Sequence, residues 1–219
     1  MTKTATITAG LSLAGVIVLG SAVLAYRAFD GEDGKPAPRE RLRKAEVKRV
    51  LSGHKIKLES DEELIYAGIR SPYPHEPMFE EAKRRNIELV EGKTIRMHFD
   101  RNERDRKDRM LAYVTADGTF VNEALVREGL AYVRLTPDTR RYADELLAAQ
   151  AEARQQKKGV WQRHVKDMRG GYVADSKYGN LHKPSCEDAV TMKAERRVEF
   201  KTRDDALDSG FAPCPKCKP

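Results

Sequence analysis

Cysteine is nearly missing from this chain. Its three copies, Cys186, Cys214 and Cys217, all fall near the C-terminal end, so no disulfide can brace anything before Cys186. No internal repeat is visible, which excludes a solenoid or a propeller built from copies of one unit. Charged residues make up 34% of the 219 positions without gathering into a long block of one sign, so a polyelectrolyte tail is excluded too. Long apolar runs are absent with one exception, Ala5 to Tyr26.

That exception is "ATITAGLSLAGVIVLGSAVLAY". Without a charge, it would rise roughly 33 Å as a helix, about the thickness of a bilayer's hydrocarbon layer. It predicts an uncleaved single-pass anchor over residues 1–28. A signal peptide ending at Val23-Leu24-Ala25, and hence a secreted protein, is the alternative. Lys3 alone precedes the segment, whereas Arg27, Lys35, Arg39, Arg41, Arg43 and Lys44 follow it, which predicts that the rest of the chain stays cytoplasmic. Residues 29–43, with "GEDGKPAPRE" among them, read as a linker.

Lys and Arg outnumber Asp and Glu by 41 to 34, giving a formal net charge of +7. A basic balance admits DNA, RNA or an anionic membrane surface as partner, and equally a merely solvated surface. From Lys44 the pattern turns to short strands. "AEVKRVL" and "HKIKLES" alternate apolar and charged residues about a Ser52-Gly53 turn. "ELIYAGI" reads as a third strand, ended by Ser71-Pro72-Tyr73-Pro74, and "KTIRMHF" as a fourth. A fifth, Arg109 to Thr115, turns at Ala116-Asp117-Gly118 into a short helix carrying Val121, Leu125 and Val126. Met78 to Val90 and Tyr142 to Gly159 have helical spacing. Five strands and about three helices fit a small Greek-key barrel with partly open walls.

The wording "LAYVTADGTFVNEALVREGLA", with "GIRSP", "FEEAKRRN" and "KKGVW", resembles the staphylococcal nuclease (thermonuclease) family. The resemblance covers residues 44–168 and implies an OB-fold barrel that hydrolyses phosphodiesters. In that family a calcium ion held by carboxylates, a glutamate base and two arginines do the chemistry. Placed residue by residue, His54 and Arg70 stand where the family has its metal acids, Ile65 where it has its first arginine, and Tyr73 where it has the base. Arg109 alone is retained, with Asp105 matching an acid beside the ion. A hard cation needs several oxygen ligands, so calcium is not expected and His54, Ile65, Arg70 and Tyr73 are expected to be inactive. Glu76 and Glu80 are the nearest acids that could stand in.

The C-terminal segment carries a separate signal. His182-x-x-x-Cys186 and Cys214-Pro-Lys-Cys217 form two pairs of soft ligands at the spacing of a tetrahedral zinc site. "LHKPSC" and "FKTRDDALDSGFAPCPKCKP" resemble the metal-binding domain of the Ada DNA-repair methyltransferase, with His182 in place of that domain's methyl-accepting first cysteine. A structural zinc module over residues 170–219 is implied, without methyl transfer. Taken together, the residues predict a membrane-tethered binding module for nucleic acid or protein that has lost its chemistry. The alternative is an active metal-dependent nuclease.

Overall fold

The computed structural model describes residues 42–163, 165 and 167–219, so the expected membrane anchor and nearly all of the expected linker lie outside it. Among the described residues no helix is long and apolar enough to cross a membrane.

Strand β1 (Leu42–Ser52) is the longest element of the barrel, and its charges and apolar residues alternate so that Val47 and Val50 are buried. Register shifts at Val47/Arg49 and Val50/Ser52 bend it, and a bent strand can pair on both sides. Its first half runs antiparallel to β5 (Thr94–His98), its second half to β2 (Lys55–Leu58). β2 pairs with β3 (Glu63–Tyr66), and β5 with β6 (Met110–Ala116). Parallel pairing of Leu64–Tyr66 with Met110–Ala112 then closes the five strands into a barrel. The interior is filled by Ile56, Leu64, Ile95, Ala112 and Val114, all essentially inaccessible to water.

The turn after β6 is Asp117-Gly118, both residues at positive φ, as a tight twist-matched reversal requires. It leads through β7 (Thr119–Phe120) into α2 (Val121–Arg127). Asn122 on that helix accepts from Val114 N–H at 2.9 Å and donates to Ala67 O at 2.8 Å, which pins the helix to the barrel. The short pair β4 (Ile69–Arg70) and β8 (Tyr132–Val133) lies beside it, with α1 (Phe79–Val90) and α3 (Ala143–Gln155) packed outside. Strands and helices thus fall where alternation and helical spacing placed them. β4 is a separate two-residue strand, because Gly68 takes a positive φ and breaks the expected third strand after Tyr66.

Past Trp161 the chain builds a second sheet in the order β11-β9-β10-β12. It comprises β9 (Tyr172–Asp175), β10 (Asn180–His182), β11 (Arg197–Phe200) and β12 (Ala212–Pro213), with α4 (Glu187–Val190) and α5 (Arg203–Asp208) between them. Thr202 caps α5 by accepting from Asp205 N–H at 3.1 Å. The sheet is fastened to the barrel by backbone-level contacts. Leu135 N–H donates to Gly210 O at 2.8 Å, and the Gln150 amide bridges Val133 N–H and Leu207 O, both at 2.9 Å. Arg154 adds ion pairs to Asp204 and Asp208.

Candidate functional site

At the mouth of the barrel lies a cavity of about 910 Å³, at the upper end of the usual range for small-ligand sites. The turn between β1 and β2, the segment after β4 and the loop before β6 frame it. Gly53 belongs in the first turn for lack of space: a Cβ there would stand 2.7 Å from both Ala82 Cβ and Ser71 Cβ.

His54, next in the chain, lines the cavity but is itself buried. Its Nδ1 accepts from Ser71 N–H at 3.2 Å and meets Ser71 Oγ at 2.7 Å. A backbone N–H can only donate, so Nδ1 carries the lone pair and the proton of the neutral ring sits on Nε2. Burial, joined by the charges of Arg134, Arg70, Lys55 and Arg109, pushes the His54 pKa down to about 3. The ring is therefore neutral, and it presents a hydrogen-bond donor where a metal-binding carboxylate would present an acceptor.

Arg70 is not a cavity residue. It is 1% exposed, and its Nη1 donates to Glu76 Oε2 at 2.9 Å while Nη2 donates to Pro213 O at 2.9 Å. Its guanidinium lies 5.1 Å from the Tyr73 ring centroid and 4.9 Å from that of Tyr132. Glu76 also accepts from Tyr73 N–H at 2.7 Å, so this acid is committed to fixing the loop and does not stand in for a lost metal ligand. Glu80 sits exposed in the first turn of α1. Ile65 is 5% exposed and Tyr73, 37% exposed, meets His54 edge-on at 6.3 Å. Asp105 shares Oδ2 with Arg109 Nε at 2.8 Å, and its Oδ1 accepts from the backbone of Lys107 and Arg109. Burial alone would raise the Asp105 pKa, but the Arg109 pair and the two backbone donors outweigh it and hold the carboxyl low. This donor set does not fit a calcium ion: His54 and Arg70 put nitrogen where the ion would need carboxylate oxygens, and Tyr73 puts a phenol where the base would stand.

Arg134 escaped the sequence reading. It follows β8 and lines the cavity, and among the described residues its buried Nε has no hydrogen-bond partner. Burial lowers its pKa from the ordinary arginine value; Tyr73 and Asp105 oppose the shift, and Arg70 and Arg109 add to it. A bound anion would offset the two like charges. The signal was in the strand pattern: alternation through Tyr132, buried Val133 and Arg134 turns the arginine away from the core side that Val133 takes.

The soft ligands do converge. Ligand atoms of His182, Cys186, Cys214 and Cys217 all lie within 4.8 Å of one another, and the first three residues are buried. Ligands about 2.3 Å from a tetrahedral zinc stand close to 4 Å apart, so the cluster needs little contraction to hold an ion. His182 Nδ1 is buried without a hydrogen-bond partner, and burial lowers the ring's pKa, which keeps it in the neutral, ligating form. The four residues could hold a metal ion; they come from β10, the residue before α4, and the turn after β12.

Known proteins place the barrel. The SPbeta prophage-derived endonuclease YokF of Bacillus subtilis (strain 168) is 38% identical over 103 residues, 46% of this chain and 32% of that protein. Endonuclease YncB of the same organism is 37% identical over 103 residues, 46% of each chain. The match thus spans about a third of the one relative and about half of the other. The thermonuclease of Staphylococcus hyicus is 30% identical over 124 residues, 52% of this chain and 73% of that protein. Residues 54–163 match the family described as staphylococcal nuclease homologue, and with that match and the closed barrel the chain belongs to this family.

Proposed function

We propose that the barrel acts on nucleic acid as a nuclease-family domain whose pocket takes the phosphodiester directly, through donors instead of through calcium. One observation carries this: Arg109, Arg134 with its buried Nε lacking a partner among the described residues, and neutral His54 line one cavity together. Relatives named endonucleases support hydrolysis as the activity to seek, which favours the nuclease alternative over the module without chemistry. A second reading, binding without turnover, has its own support: Ile65 and Tyr73 stand where an arginine and a base would act, and uniform binding does not speed a chemical step.

One assay separates them. Single-stranded DNA and RNA are incubated with the purified chain in chelator, calcium, magnesium and manganese. Cleavage that Arg109→Ala and Arg134→Ala abolish supports the nuclease, and retention without cleavage supports the second reading. Failure to retain either polymer overturns both. Calcium stimulation that survives Arg134→Ala would overturn the donor-based pocket.

For the C-terminal sheet we propose a structural Cys3His zinc module of Ada-like type, residues 170–219, following a barrel domain at 44–168. Zinc there would supply folding free energy to a segment with little apolar core of its own. Tethering by residues 1–28 is proposed on the apolar run alone, with fractionation of the full chain as its test.

A further inference from the structure

The cavity is not built by the barrel alone. Lys177 and Tyr178, from the turn joining β9 to β10, form part of its wall. That turn is seated on the barrel by Gly179, whose φ is +67° and whose absent Cβ would stand 2.4 Å from Leu135 O. Any side chain at 179 would lift the turn off the Arg134–Leu135 backbone. Across the cavity mouth, Arg106 Nη1 donates to Tyr178 Oη at 2.6 Å, and its guanidinium lies 4.0 Å from the ring centroid. Among the described residues, neither Arg106 nor Lys177 has a carboxylate partner. Arg85 is paired with Glu128 and Arg127 with Glu152, whereas among the described residues the exposed Arg49, Arg84 and Arg96 also lack a carboxylate partner, so it is their meeting at one cavity edge that sets Arg106 and Lys177 apart.

We infer that the C-terminal module completes the nucleic-acid site: Lys177, with Arg106 held in place by Tyr178, binds the phosphate adjoining the one at Arg109 and Arg134. The inference rests on the nucleic-acid reading above. It follows from charge complementarity, because two unpaired cations from different parts of the chain meet at one cavity edge, and a strand is the ligand that repeats its charge at short intervals. The cavity volume also exceeds what one phosphate would fill. His182 ends β10, which pairs with β12 just before Cys214, so a metal held by the four candidate ligands would help to set where the turn sits.

The test uses the full chain, a fluorescein-labelled single-stranded DNA octamer read by anisotropy in calcium-free buffer, and a 5′-mononucleotide read by calorimetry. Lys177→Ala and Tyr178→Ala are each expected to weaken the octamer roughly tenfold, the loss of one charged hydrogen bond. Each should also lower the salt slope by about 1. The mononucleotide's affinity and the metal content by elemental analysis should stay at wild-type values. Lys177→Glu, at an exposed position that cannot unfold the chain, should weaken the octamer further. If Arg134→Ala weakens the octamer while all three module variants leave affinity and slope unchanged, the inference fails and the nucleic-acid reading stands. If the wild type binds neither ligand, the reading itself fails and the inference with it.

Discussion

His54 shows how one side chain can link ligand chemistry to stability. Its folded-state pKa, about 3, lies below the 6.5 of an exposed ring, so below pH 6.5 the unfolded chain takes up a proton that the folded chain refuses. Its contribution is therefore complete above pH 6.5 and is lost as pH falls from 6.5 toward 3, at up to about 1.4 kcal/mol per unit. Denaturant titrations at pH 7, 6 and 5 should show that slope, and His54→Gln should flatten it. The arginines of the cavity differ in what they already hold. Arg109 is paired with Asp105 and half withdrawn from a ligand, whereas among the described residues Arg134 has no ion pair to give up and its buried Nε has no hydrogen-bond partner. Arg134→Ala should consequently weaken nucleic-acid binding more than Arg109→Ala, by about 1.5–3 kcal/mol in a binding titration. Neither the tautomer of His54 nor the vacancy at Arg134 Nε could be read from residue order. Both depend on Ser71 and on burial, which the sequence does not display.

Among the elements, those specified by local periodicity were legible. Alternation in "AEVKRVL" and helical spacing in "FEEAKRRN" name their own solvent-averse faces; β1 starts three residues earlier and ends one later than that run, and α1 starts one residue after Met78. The His182–Cys186 and Cys214–Cys217 pairs were legible because ligand chemistry restricts spacing, and the structure brings all four together. What escaped was contact between elements distant in the chain, such as the β9–β10 turn reaching the barrel mouth. Metal should matter at this level. Cys214→Ser should lose zinc, measured by elemental analysis, and should free the backbone amides of β10 and β12 to exchange with solvent. The amides of β5 and β6, which lean only on the barrel, should stay protected.

For the whole molecule, the decisive residue is Arg70. Expected as a misplaced charge in the metal site, it is instead a buried tie whose two donors reach Glu76 and, 143 residues along the chain, Pro213 O next to the ligand Cys214. Arg70→Met should destabilise the chain by about 3–5 kcal/mol in chemical denaturation, because it leaves Glu76 and a buried carbonyl unpaired. Removing both charges with Arg70→Met and Glu76→Gln should recover part of that loss. This tie also resists conversion of the pocket into a calcium site. Placing an aspartate at position 70 to recruit calcium would put two carboxylates side by side and release Pro213, the last residue of β12, beside Cys214. The first substitution toward such a site thus lowers stability before it can raise activity. A variant with acids at 54 and 70, arginine at 65 and glutamate at 73 should show little calcium-dependent DNA cleavage unless the C-terminal sheet is given a new anchor on the barrel.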